Sequence, residues 1–471
     1  MSKVSRNMSD RTDKRIVIVG AGSQSFGLGT LGDLMTTGDK LWGSTVVLHD
    51  LSQEMLDLVG GVFKRALAEA ADADENGQEP FKVEATTNPE EAIRDADFVV
   101  MTIEHGNRLH SWEQDYYIPL KHGCKQVYGE NGGPGGAFHT WRQVPPMLKI
   151  TEIMHDVAPN AYLLNYSNPV PRVTWAINRH MERVVGDAAF PRHNIGFCHG
   201  IGSGLRSLPR VIGANDFILD ITSAGLNHFY FFIKVEAKKD YVMPALGPFP
   251  EKQVHAGDSL LDDIRERAPW YFDQEEVHFI AELIRVYGYW TYPDQSHPAE
   301  YIHWANCYCP HVKYGFKGTN DPLKQMLRDS IDMKTDNYWW VHQTGEKAVP
   351  VMVGITLDTN QQEIALNMQN IDGCISNLPR DCTVEAPAHV NATGAHHDEI
   401  GAMPRGIANL LQHEATMQDL VVEAAITGDY NVALQALSLD PTVPSPQVAR
   451  ELLDDMLRLQ KEYLPQFADR Q

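Results

Sequence analysis

The chain has few cysteines, no long apolar run and no cluster of basic residues, and each shortage removes a class of function. Six cysteines in 471 residues (Cys124, Cys198, Cys307, Cys309, Cys374, Cys382) are too sparse for a disulfide scaffold, so a reducing compartment is expected and a free thiolate with a role remains open. No apolar stretch reaches the roughly 18 residues of a transmembrane helix. The polar start "MSKVSRNMSDRTDKR" carries no hydrophobic signal core, and residues 1 to 13 read as a disordered lead-in to a cytoplasmic protein. Acidic side chains (62) outnumber basic ones (40), giving a formal charge of −22 that repels phosphate backbones and anionic lipid surfaces. Nucleic acid and membrane are therefore excluded as partners. With 43% apolar and 22% charged residues, an ordinary globular chain with room for two to four domains, or for one two-lobed enzyme, is expected.

What is present begins with "RIVIVGAGSQSFGLG", a strand followed by a glycine turn and a helix. Gly20 and Gly22 permit a tight turn and close approach of a pyrophosphate, with Ser23 and Phe26 in the same loop. The third glycine of the usual fingerprint is missing from its place, where "SQSFG" stands. A second apolar run, "STVVLHD", ends in Asp50, where an acidic side chain meets a ribose 2′-hydroxyl and favours NAD over NADP. A helix follows from Ser52 to about Ala73, then "KVEATTN", a short helix "PEEAIRDA" and the fully apolar strand "DFVVMTI". This alternation predicts α/β structure, a Rossmann-like doubly wound sheet with buried strands. Beyond it come a glycine-rich loop, a long helix from about Trp141 and the strands of "AYLLNYSNP" and "NIGFCHG". From Gly204 the pattern changes. The stretch "DFILDITSAGLNHFYFFIKVE" alternates like antiparallel strands and the remainder reads as largely helical, so residues 14–203 are assigned to a cofactor-binding domain and 204–471 to an interleaved α+β second lobe.

Three strand ends concentrate ligand-type side chains: "NYSNP" (Asn165, Asn168), "GFCHG" (Cys198, His199) and "AGLNHF" (Asn227, His228). In an open α/β sheet that edge is where ligands bind. One thiolate with one imidazole suits a borderline divalent metal whose remaining positions are left to substrate oxygens. Taken singly, each of these side chains also fits a satisfied core residue. The loop "YGYWTYPDQSHPAEYIHW" adds Asp294, His297 and Glu300 among aromatics, the composition of a sugar-binding wall or of a packed aromatic loop with solvated charges.

Together these motifs resemble glycoside hydrolase family 4, the NAD- and manganese-dependent glycosidases. The likeness is strongest to the melibiase-type α-galactosidase branch or to a close cousin such as the NAD-dependent sulfoquinovosidases. It runs from about Lys14 to Pro465 through "GENGGPGGAFHTWRQVP", "LLNYSNPVPRVTWAI", "GFCHG", "AGLNHF", "GYWTYPDQSHPAEY", "IDGCISNLPRDCTVEAP" and "IGAMPRGIANLL". The resemblance implies hydrolysis by an oxidation–elimination route, an exception to the two-carboxylate scheme. Hydride leaves carbon 3 for NAD⁺, a base takes the proton on carbon 2, the aglycone departs from carbon 1, water adds, and the hydride returns.

By the same resemblance Cys198 and His228 ligate the metal, Mn²⁺ in the family. Asn168, Arg142, His199 and Asn227 contact the sugar or the groups around it. Glu130 stands where the family has an aspartate and takes part in proton transfer or substrate binding. Asp294 is the expected base with His297 beside it, the order of the two, and Tyr301 as a third candidate, being left open. Arg108, His110, Trp112, Lys121, His139, Trp141 and Arg142 offer donors for an anionic carbon-6 group, so a neutral α-galactoside or α-glucoside, a galacturonide and a sulfoquinovoside are all admitted. The family habit implies a homodimer or homotetramer. Two rivals stand beside this reading: a simple NAD-dependent dehydrogenase of a sugar or hydroxy acid, and a cofactor-sensing binding protein without turnover.

Overall fold

The computed structural model describes residues 12–23, 26–73, 77–309, 321–332 and 339–470. All but the end of the lead-in expected over residues 1 to 13 lies outside the described residues. Six parallel strands come first: β1 (Arg15–Val19), β2 (Thr45–His49), β3 (Lys82–Thr86), β4 (Phe98–Met101), β5 (Tyr162–Asn165) and β6 (Asn194–Gly196). They lie in the order β3-β2-β1-β4-β5-β6, which reverses direction at β1, the arrangement that opens a crevice beyond the strands' carboxyl ends. Ile16, Val17, Ile18 and their neighbours Val99 and Val100 are fully buried. That burial on both faces is why these strands read as unbroken apolar runs.

The later strands are β7 (Leu219–Leu226), β8 (Phe229–Ala237), β9 (Tyr241–Met243), β10 (Lys252–Val254), β11 (Trp290–Thr291), β12 (Gln361–Gln369), β13 (Thr383–Asn391) and β14 (Gly394–His397). Except for the separate β9–β10 pair they continue the same 12-stranded sheet: β12 pairs antiparallel with β6, and β13, β7, β8 and β11 follow outward. The doubly wound half and the α+β half thus share one sheet. Strands β12, β13 and β14 correct the expectation that the chain beyond β8 is largely helical. Most of β12 and β13 is buried, so the alternation that marks a half-exposed strand is absent from their sequences. The long helix likewise begins earlier than expected, at Gly133, and runs to Val157. No helix among the described residues is long and apolar enough to cross a membrane.

Candidate active site

The glycine loop is shaped by main-chain contacts. Gly20 has φ +88°, a conformation that favours glycine, and its N–H donates to the His49 carbonyl at 2.9 Å, tying β1 to β2. The Gly22 N–H donates to Asp50 Oδ2 at 2.9 Å, while Asp50 Oδ1 accepts from the Ser52 N–H at 2.9 Å. Ser23 Oγ accepts from the Phe26 N–H at 3.4 Å, and the Phe26 ring stacks on Tyr166 with centroids 4.9 Å apart. Gly27 holds the place of the missing third glycine: a Cβ there would lie 2.3 Å from the Ala21 carbonyl oxygen, so the following helix approaches the turn only because position 27 has no side chain. The fingerprint is present with its last glycine displaced by two residues.

Further along the same edge, chain-distant segments converge. Cys198 follows β6, and His228 sits in the two-residue turn joining β7 to β8; Cys198 Sγ and His228 Nε2 are 3.0 Å apart. Burial lowers the imidazole's pKa well below its ordinary value, with His297 and His199 adding to the effect, so the ring is neutral and able to ligate. The same burial pushes the thiol's pKa up. A buried thiolate needs a cation beside it, which is the chemistry of a divalent metal held by these two donors. His228 Nδ1 is buried with no hydrogen-bond partner among the described residues. No group of three or more His, Cys, Asp or Glu positioned for a metal is found among the described residues, so Cys198 and His228 stand as a pair of donors.

The His297 ring lies on His228, centroids 3.9 Å apart and planes 23° from parallel, and its Nδ1 faces Glu300 Oε2 at 3.2 Å. Burial opposes charge on His297, but the Glu300 hydrogen bond and the carboxylates of Glu300, Glu130 and Asp294 outweigh it and raise the pKa. Glu130 is buried, with Arg108 at 3.1 Å. Asp294 is exposed and accepts from the Ser296 N–H at 2.7 Å and from the Ser296 hydroxyl. It caps its own turn at the rim, while His297 occupies the centre. Tyr301 is buried with its ring stacked on Phe229.

Other expected contacts divide. Asn168 is half-buried just beyond β5, and His199 Nδ1 pairs with Glu346 at 3.3 Å. The Asn227 amide donates to Glu385 at 3.2 Å, beneath the Cys198–His228 pair. Arg142 is not brought into the cluster: its guanidinium is 1% exposed, forks onto both oxygens of Asp115 at 2.8 and 2.5 Å and also donates to Gln460 at 2.8 Å, which anchors the C-terminal segment. Trp141 is equally internal, donating to the Val421 carbonyl at 3.0 Å.

Two carboxyls were not singled out by sequence. Glu104 lies just beyond β4 and accepts from Gln143 at 2.7 Å; His139 bridges it at 3.2 Å to the Glu130 carbonyl at 2.8 Å. Burial would raise the Glu104 pKa, but His139, Arg108 and Arg142 bring it below the ordinary carboxylate value. Its signal was available: an acidic residue directly after an apolar parallel strand stands at the ligand edge. Glu385 gave none, because it lies inside β13; burial raises its pKa to about 7.

Two family models match in succession, "Family 4 glycosyl hydrolase" over residues 15–210 and "Family 4 glycosyl hydrolase C-terminal domain" over residues 223–443. The chain belongs to glycosyl hydrolase family 4. It is therefore a glycoside hydrolase. This family 4 chain is 32% identical to an alpha-glucosidase of Erwinia rhapontici, over 96% of this chain and 98% of the relative. It is 25% identical to an alpha-galactosidase of Rhizobium meliloti, with 96% and 90% covered. Among solved structures, a 6-phospho-alpha-glucosidase from gut microorganisms, in complex with NAD and Mn²⁺, superposes with a TM-score of 0.78 at 21% identity over 96% of this chain and 99% of the other. At that identity the likeness is one of fold.

Proposed function

We propose that this chain hydrolyses an α-linked hexoside by oxidation at carbon 3 and elimination across carbons 1 and 2, with NAD⁺ as a resident oxidant and Mn²⁺ or a similar divalent cation. The observation that carries the reading is the convergence of Cys198 Sγ and the neutral His228 Nε2, 3.0 Å apart, on the sheet edge that also holds the glycine loop. The residues fit both groups: Gly20, Gly22, Ser23, Phe26 and Asp50 would hold the dinucleotide, and Cys198 and His228 the metal. When bound, these groups supply a reversible hydride acceptor for carbon 3 and a Lewis acid for the oxygens on carbons 2 and 3, with no net redox change.

The chain's own residues do the rest. His297 takes the carbon-2 proton, because it stands over His228 at the centre of the cluster whereas Asp294 lies at the rim; Asp294 adds negative charge that favours the protonated ring. Glu130, held by Arg108, orients sugar hydroxyls, with Asn168 and His199 as further sugar contacts. Asn227 acts by holding Glu385 beneath the metal pair. Arg142 serves the scaffold. In this reading residues 14–203 carry the cofactor and lend Cys198, Glu130, Asn168 and His199 to the site, while residues 204–471 supply His228, His297 and the subunit contacts. A cytoplasmic location fits a free metal-binding thiol, and the homodimer or homotetramer implied by the family habit would be tested by light scattering.

The decisive experiment is aryl-glycoside cleavage across neutral, uronic and sulfonated α- and β-sugars in deuterated water, with Mn²⁺, reductant and NAD⁺ each present or omitted. Cleavage that requires all three and leaves deuterium at carbon 2 supports the mechanism and identifies the sugar. NADH accumulating with a free sugar or hydroxy acid, and no glycoside cleaved, would make the chain a dehydrogenase on a related frame.

A further inference from the structure

Glu300 is the most completely engaged side chain near the cluster. It is 0% exposed, and its Oε1 accepts three consecutive backbone N–H groups, those of Glu130 at 2.6 Å, Asn131 at 2.9 Å and Gly132 at 3.1 Å, from a segment 168 to 170 residues earlier in the chain. Successive N–H groups pointing into one concavity bind an anion, so the loop is shaped for a carboxylate. The fit is close: a Cβ on Gly132 would lie 2.6 Å from both Glu300 Cβ and Tyr301 Cε1. The second oxygen, Oε2, faces His297 Nδ1 at 3.2 Å.

We propose that Glu300 is a positioning residue that uses one carboxylate to fix both the backbone carrying Glu130 and the tautomer of His297. A carboxylate accepts and cannot donate, so Nδ1 carries the ring proton towards Glu300 and Nε2 is the nitrogen left with a lone pair. The role is that of the buried acid in a Ser-His-Asp triad, which holds the imidazole in one tautomer and orientation without touching substrate. Here the same acid also secures the loop of a second site residue, so the spacing between Glu130 and His297 is set by a single group.

The kinetic consequence rests on His297 acting in proton transfer as proposed above; the tautomer does not. Glu300→Gln separates the two. Its carbonyl oxygen can still accept the three loop N–H groups, but its amide presents N–H to His297 and makes Nδ1 the acceptor. Selective ¹⁵N-histidine labelling, with Mg²⁺ as a diamagnetic metal and pH high enough to keep the ring neutral, reads the tautomer directly, and a His297→Asn spectrum assigns the signal. Wild-type protein is expected to show Nδ1–H, and E300Q to show Nε2–H with NAD binding unchanged. The E300Q kcat should fall on the order of 10³- to 10⁴-fold while KM moves less than about threefold.

An Nε2–H signal in the wild type overturns the proposal even if E300Q does not fold. So does an E300Q protein that retains Nδ1–H, whatever its kcat, because the loss would then be structural. Should the wild type cleave no glycoside, the proposed function fails while the spectra still test Glu300.

Discussion

The glycine loop and the polar cluster sit on one edge of one sheet and are built from different material. Around Gly20, Gly22 and Asp50 the contacts are between main-chain groups and a nearby carboxylate, across the short sequence distance from β1 to the end of β2. Around Cys198 and His228 they are between side chains contributed by β6, the β7–β8 turn and the loop after β11, with Glu300 reaching back to residues 130 to 132. The first region needs small residues at fixed places; the second needs chemistry at places that only the completed sheet brings together. Dinucleotide affinity and catalytic competence should therefore separate under mutation.

The largest separation is expected from Cys198→Ser. Glycoside cleavage should fall roughly 10³-fold or more, with Mn²⁺ affinity reduced in an electron paramagnetic resonance titration and NAD⁺ binding unchanged. If NAD⁺ binding fell equally, the two regions would be one unit. Next, His297→Ala should lower kcat by about 10²- to 10⁴-fold against less than about tenfold for Asp294→Ala. The reverse order would make the rim carboxylate the base.

Glu385→Gln probes the cost of building with side chains. The folded Glu385 has its pKa raised to about 7 from an ordinary 4.5, by burial, so its protonated form is favoured in the native state. Its contribution to stability is complete below 4.5 and lost as pH rises through 7, on the order of 3 kcal/mol. Urea unfolding in chelator between pH 4.5 and 8 should show that decline in the wild type and a flatter profile in E385Q. The smallest effect is expected from Gly27→Ala, whose Cβ would press on the Ala21 carbonyl. Strain of about 1–2 kcal/mol should weaken NAD⁺ binding by about 5- to 30-fold in calorimetry and leave Mn²⁺ binding alone.

These differences also account for what could be read from residues alone. The parallel strands and the loop were legible because their signals are local: apolar runs, glycines and an acid at a strand end. Gly27 is hidden from a fingerprint of fixed spacing, whereas the physical requirement is close approach of helix to turn. Cys198, His228 and His297 were visible as types of residue, but their contact depends on β12 and β13 bridging β6 to β7, and those strands are buried too evenly to show alternation. Arg142 shows how a sequence displays a guanidinium and conceals its buried partner, Asp115. Glu385, inside a strand, offered nothing to read.

The backbone at His228 has φ +62°, a left-handed conformation in a turn of two residues. Among side-chain-bearing residues, histidine, asparagine and aspartate enter this region far more readily than the rest, and branched residues scarcely at all. The turn therefore filters substitutions by shape before chemistry is considered. Apart from glycine, the replacements it admits with least strain all carry a nitrogen or oxygen donor on a short stem. Under the metal role proposed for His228, tolerated change at this position would alter which metal is held and how tightly, so the hairpin is a natural place to start when selecting variants with a different metal preference.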